Sequence, residues 1–410
     1  MPHDASEGLS PEGWLPDRVT VGVLTGVFPP ELVDRVLAET DTVELRRRLL
    51  PSRLVVYFVL ALWLFRGRNC GYVQVLSRLV DGLYWRRRAA ALASGGPGGR
   101  EWRLPNLSSL VRARGRVGSD PLRMLFEHAA GPVGAEEAAG VWLGGLRLVA
   151  VDGTTSDVPD TAGNRAAFGG PSNGGGLGPF PQVRWVAAAE SGTGALLGAA
   201  FGPYTAGEQV LVRDLLAALG PGMLVLADRN FLSHALAREV LAAGAHVLWR
   251  AKASFALKPV EVLADGTYLA RLNPARKADG PALTVRVIEY TVHTTGPGGT
   301  AGSELFCLVT DLLDIEEWPA LDLACAYRDR WGVETVIGHH KTDLGEGQAV
   351  LRSRDPEGVA QEMWALFAVY QALHQLMGTA ADAAGLPPAK ISFRHTLTAA
   401  TDSIGADFPP

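Results

Sequence analysis

Two short apolar runs in this chain each finish on an aspartate: "LRLVAVDG" at 146–153 and "GMLVLAD" at 222–228. Unbroken Val, Leu and Ala without polar alternation suits strands buried on both faces, and such strands need a sheet covered by helices. The neighbouring sequence supplies both. "FPQVRWVAAAES" and "GALLGAAFGPY", joined by Gly-Thr-Gly, read as a hairpin, and "AHVLWRAK" as a fifth strand. "TAGEQVLVRDLLAAL" reads as a helix opened by a Thr205-x-x-Glu208 capping box, and "SHALAREVLAAG" as a second helix. The order β-β-β-α-β-α-β makes an α/β protein with a mixed sheet flanked by helices. Asp152 and Asp228 then end strands, at the sheet edge where ligands collect in open α/β folds.

The rest of the chain divides around this core. Residues 1–140 read as a helical, Arg-rich domain and 141–254 as the first part of the core. Residues 255–320 read as an inserted β-rich subdomain with an Asp265-Gly266 turn, and 321–410 as the helical second part of the core. "LSSLVRARGRVGSDPLRMLFEHAAG" suggests two short helices with Arg112, Arg114 and Arg116 in their connection. The apolar run "LVVYFVLALWLF" lies between Arg53 and Arg66. It is too short for the roughly 20 residues of a membrane span and reads as a core helix. With no basic n-region at the start, the expectation is a cytoplasmic protein without a membrane partner. Cys70, Cys307 and Cys325 are scattered, which excludes a Cys-x-x-Cys metal site.

A net charge of −5 argues at first against a nucleic-acid partner. The average hides an asymmetry: residues 46–118 hold 15 Arg, no Lys and two acids, Asp81 and Glu101, a local net of +13. A basic block in an acidic chain fits either a polyanion-binding surface or Arg-rich solvated helices.

The stretch "YRDRWGVETVIGHHK" (327–341) is the other dense cluster. On a helix at about 100° per residue, Tyr327, Arg330, Glu334 and Lys341 fall within an arc of about 60°, with Trp331 on the same side. By itself this could be an Arg330–Glu334 ion pair on a wet helix, worth a few tenths of a kcal/mol. Asp152 and Asp228 change the weighting. A third carboxylate beside them completes a hard-oxygen donor set for two divalent cations, as two-metal phosphoryl transfer requires. Tyr, Arg and Lys around it suit phosphate.

Asp152, Asp228 and Glu334, with Y-x2-R-x3-E-x6-K met at all four positions, resemble the DDE transposases of bacterial insertion sequences, in the insertion-sequence-four group with its YREK signature. "VDGTTSDVPDTAGNRAAFG", "LADRNF" and the β insertion before the Glu extend the similarity over essentially the whole chain. The resemblance implies an RNase H-like core in which Asp152, Asp228 and Glu334 are catalytic ligands of Mg2+, with Mn2+ as a substitute. It implies DNA-phosphate contacts from Tyr327, Arg330 and Lys341, and base stacking by Trp331. It further implies a homodimer on double-stranded DNA that cuts terminal inverted repeats and joins them to target DNA. Arg229-Asn230 departs from the family's usual Arg-Gly or Arg-Ala, and Asn would suit a positive φ there. That departure and the acidic average keep open a domesticated or inactive DNA-binding derivative; another RNase H-like nuclease is a second alternative.

Overall fold

Helices and strands form where the apolar patterns lie. The computed structural model describes residues 19–44, 46, 48–65, 70–80, 104–136, 138–173, 176–252, 255, 257–295, 301–330, 338–339, 343–344 and 350–404. The chain divides into two compact units: Met1–Ala129 with Thr342–Leu373 and Ser392–Pro410, and Ala130–Lys341 with His374–Ile391.

The first unit is helical. It contains α1 (Pro30–Glu39), α2 (Ser52–Leu64), α3 (72–80), α4 (Leu107–Val117) and α5 (Asp120–Ala129). Residues of the later helices Pro356–Ala384 and Phe393–Ser403 join them, so much of the 321–410 stretch groups with the N-terminal helices and not with the sheet. The apolar run of α2 is buried along nearly its whole length, and Trp63 Nε1 donates to the Glu362 carbonyl at 2.7 Å. No helix among the described residues is long and apolar enough to cross a membrane.

Arg112, Arg114 and Arg116 lie inside α4 and not in a connection. The Asn106 side chain caps α4 by accepting from Ser109 N, and the helix stops at Gly118, whose φ of 70° an L side chain rarely adopts. Arg114 points inward. Its guanidinium donates to Gln361 Oε1 at 2.9 Å, to the Gly358 carbonyl at 3.0 Å and to the Tyr72 hydroxyl.

The second unit is built on strands. They are β1 (Trp142–Leu143), β2 (Leu146–Asp157), β3 (Ser172–Asn173), β4 (Gly176–Leu177), β5 (Gln182–Glu190) and β6 (Leu196–Pro203). They continue with β7 (Met223–Ala227), β8 (His246–Arg250), β9 (Pro259–Val262), β10 (Tyr268–Leu272), β11 (Leu283–Thr295) and β12 (Ala301–Thr310). Ten of them form one sheet in the order β6-β5-β2-β7-β8-β12-β11-β10-β9, with β1 beside β2, while β3 and β4 make a separate small pair. β6, β5 and β2 run antiparallel, whereas β2, β7 and β8 run parallel. The five core strands therefore stand in the order third, second, first, fourth, fifth. Val149, Val151, Val225 and Ala227 pack on Leu215, Leu236 and Val240 beneath the sheet.

Helices described in this unit include α6 (Ala162–Phe168), α7 (Glu208–Leu211), α8 (His234–Ala242) and α9 (Ala320–Asp329). The segment expected as one helix over 205–219 is a single α-turn continued by a 3-10 helix, Val212–Ala218. The strands of 255–320 extend the core sheet, because β12 pairs with β8 (Thr310↔Leu248, Val309↔Trp249). Within them, fully buried Arg286 donates to Asp265 Oδ2 at 2.6 Å, Thr267 Oγ1 at 3.0 Å and the Trp318 carbonyl at 2.6 Å. This guanidinium ties the Asp265-Gly266 turn to the chain that leads into α9.

Removing the acid should cost more than removing the cation, because it leaves a buried charge uncompensated. Asp265→Ala is expected to lower stability by about 3 kcal/mol and Arg286→Met by clearly less. Urea denaturation of the two variants checks the order.

Candidate active site

Strand register brings the first two acids together. β2 and β7 pair in parallel up to Val151↔Ala227, so Asp152 and Asp228 are the next residue on each strand. Neighbouring strands lie about 4.8 Å apart, which puts both carboxylates at one edge of the sheet. Asp152 does not end its strand as expected. β2 runs on to Asp157 because β5 continues to pair with it, out to Asp157↔Gln182. What ends at Asp152 is the parallel pairing.

Each aspartate is held locally. Asp152 Oδ1 accepts from the Gly153 N–H at 2.8 Å, and Oδ2 faces Arg330 Nη1 at 3.7 Å. Burial pushes the Asp152 carboxyl up to about 6, with Asp228 and Glu208 adding to the rise and the Gly153 N–H and Arg330 opposing it. Asp228 Oδ1 accepts from the Asn230 backbone N–H at 2.8 Å, and Oδ2 from Asn230 Nδ2 at 3.3 Å. Asn230 is therefore not here for a left-handed backbone, since among the described residues Asp41 alone is a non-glycine with positive φ. Its amide grips the carboxylate, which neither Gly nor Ala can do. Gln209 Nε2 in turn holds the Asn230 carbonyl at 2.6 Å.

A third carboxylate is Glu208. The capping box expected for it does not form: α7 begins at Glu208 with Gly207 as its N-cap and no side-chain cap bond. Freed from that role, the Glu208 side chain lies over Gly153. A Cβ added at Gly153 would stand 3.0 Å from Glu208 Cγ, so glycine leaves the space. Glu208 Oε1 is 3.9 Å from Arg184 Nη1, and the Arg184 guanidinium sits 5.0 Å above the Tyr204 ring. Burial raises the Glu208 carboxyl, Arg184 opposes, and Asp228 adds to the rise. From the sequence Glu208 is assigned to the capping box, and Arg184 is not singled out.

The YREK stretch enters from α9. Tyr327 is 2% exposed, and its hydroxyl donates to the Ala227 carbonyl at 3.3 Å, one residue before Asp228. Burial pushes that hydroxyl up to about 12. Arg330 is the C-cap of α9 and is buried, 5.7 Å above the Tyr327 ring. Its described carboxylate partner is Asp152, on β2. Trp331, Glu334 and Lys341 lie outside the described residues. Among the described residues no trio of His, Cys, Asp or Glu is arranged to hold a metal ion.

Asp152 and Asp228 are nonetheless hard oxygen donors of the kind a divalent cation takes, with Arg330 facing Asp152 and Arg184 facing Glu208 nearby. A sheet ordered third, second, first, fourth, fifth, with carboxylates closing its central parallel pair, defines an RNase H-like protein. Residues 18–127 match the family described as Insertion element 4 transposase N-terminal, and residues 143–372 match the Transposase DDE domain. The chain belongs to the DDE transposases and is a DNA transposase of that family. It is 29% identical over 374 residues to Transposase InsG for insertion sequence element IS4 of Escherichia coli (strain K12), an alignment covering 90% of this chain and 79% of InsG. A solved structure of the piggyBac transposase synaptic complex with hairpin DNA covers 93% of this chain and 79% of its own, at 12% identity and a TM-score of 0.46. DDE domains generally use divalent metal ions.

The raised Asp152 carboxyl has a thermodynamic consequence. Its folded value, about 6, lies above the ordinary 3.8, so ionisation is harder in the folded chain than in the unfolded one. Metal-free stability should therefore be lost as pH rises from about 4 to 6 and stay low above that. In EDTA, Asp152→Asn should melt a few degrees above wild type at about pH 7.5, the gap closing as pH falls through about 6 toward 4. Calorimetric scans across that range test this.

Proposed function

We propose that this chain cuts the ends of its own transposon and joins them to target DNA, with Asp152, Asp228 and Glu334 as the metal-binding triad and Mg2+ as the working ion. The observation that carries the reading is the parallel register of β2 and β7, which sets Asp152 beside Asp228 in a chain of the DDE family. When bound, a pair of divalent ions supplies Lewis acidity at the scissile phosphate and eases deprotonation of the attacking water or 3′-hydroxyl.

The protein's own groups do the rest. Asn230 orients the Asp228 carboxylate, and the Gly153 N–H orients that of Asp152. The Tyr327 hydroxyl, expected on DNA phosphate, donates in the free chain to the Ala227 carbonyl and so steadies the strand end that carries Asp228. Arg330 neutralises Asp152 in the free protein and is the group that turns to a backbone phosphate when DNA enters, joined there by Lys341. Trp331 stacks on a base unpaired at the cut end. The substrate is double-stranded DNA bearing terminal inverted repeats, bound by a homodimer.

With Mg2+, the purified protein should nick a labelled fragment carrying the inverted repeat that flanks its coding sequence. Asp152→Ala and Glu334→Ala should each reduce nicking by at least about a thousandfold, to background, while leaving DNA binding in EDTA within a few-fold of wild type. Gel analysis of the cleaved strand measures it. Cleavage that survives Asp152→Ala would sink the triad.

A further inference from the structure

Helix α4 turns a mixed basic and apolar face to solvent. Leu107, Val111 and Gly115 follow one another at four-residue steps, and Ser108, Arg112 and Arg116 run beside them, all exposed. Leu107 is 54% and Val111 48% exposed. The opposite face, Leu110, Ala113, Arg114 and Val117, is buried. Around Gly115 the surface is open, with nothing within 4 Å of where a Cβ would stand.

Neither Arg112 nor Arg116 closes an ion pair with a described residue, whereas Arg123 on α5 bridges Asp120 at 3.3 Å and Glu127 at 2.9 Å. Arg48, likewise exposed, lies close enough to act on Arg116: among the described residues, burial and then Arg48 lower the Arg116 proton affinity, Glu44 opposes, and Arg112 adds to the lowering. Three exposed arginines gathered in this way favour a polyanion. The helix is fixed in place to present them, capped by Asn106 and anchored by Arg114.

A surface that only gripped phosphates would need charge alone. The Leu and Val row beside the arginines adds the second half of a base-reading face, since Arg suits guanine O6 and N7 and apolar groups suit the thymine methyl. We propose that α4 enters the major groove of the transposon-end duplex, with Arg112 and Arg116 on base edges, Leu107 and Val111 on thymine methyls, and Arg48 on the flanking phosphates. The assignment rests on the transposase reading and adds to it the residues that select the end sequence.

The test uses the full chain in EDTA, so that no cleavage intervenes. Fluorescence anisotropy compares a duplex carrying the flanking inverted repeat with a scrambled duplex of equal composition, over a range of salt. Wild type should prefer the end duplex. Arg112→Ala, Arg116→Ala and Val111→Ala should each reduce that preference, the arginine variants by about tenfold or more. Arg48→Ala should weaken both duplexes alike and reduce the salt slope by about one. Arg112→Lys keeps the charge and the fold, and should lose preference while keeping the slope. If these variants bind with undiminished preference, α4 does not read the end, and the transposase reading stands. A wild type that nicks the end duplex with Mg2+ yet shows no preference in binding overturns the α4 assignment alone. If wild type neither prefers nor nicks the end duplex, both readings fall.

Discussion

The site depends on one register. β2 and β7 pair in parallel so that Val151 meets Ala227, and the next step on each strand is an aspartate. A slip of one residue would turn one of the two side chains to the opposite face of the sheet. The apolar side chains below the acids, Val149 and Val151 on one strand and Val225 and Ala227 on the other, hold that register by filling the core. Packing and chemistry are thus set by the same alternation.

That register sets two partly buried carboxylates side by side, with Glu208 close by. Asp152, Asp228 and Glu208 press on one another, and two arginines from separate parts of the chain, Arg184 and Arg330, provide the described compensation. Such crowding lowers stability and is a common mark of functional sites. Asn230 and Gly153 serve the same arrangement, the one by constraining a carboxylate and the other by leaving room for Glu208.

Arginine plays opposite parts in different places. Arg114 and Arg286 are buried and bind backbone carbonyls and side chains, so their role is to fasten segments distant in sequence. Arg112 and Arg116, two positions to either side of Arg114, face outward because α4 turns by about 100° per residue. Composition counts these residues together, whereas helix geometry separates them.

Much of the architecture was legible in the chain itself. The apolar runs around Asp152 and Asp228, the hairpin between β5 and β6, and the core helix α2 all follow from patterns of local periodicity. The two aspartates at the edge of the sheet followed as well, since continuous apolar strands leave few other places for them. Long-range contacts were not legible. Glu208 looked like a cap because Thr205 stands three residues before it, and only the fold shows Gly153 opening space beneath it. Arg330 also meets Asp152, 178 positions earlier, a contact that no local spacing announces. Periodicity reports which face of an element is apolar; which charged groups meet across elements is decided by tertiary packing, where desolvation makes each unpaired charge costly.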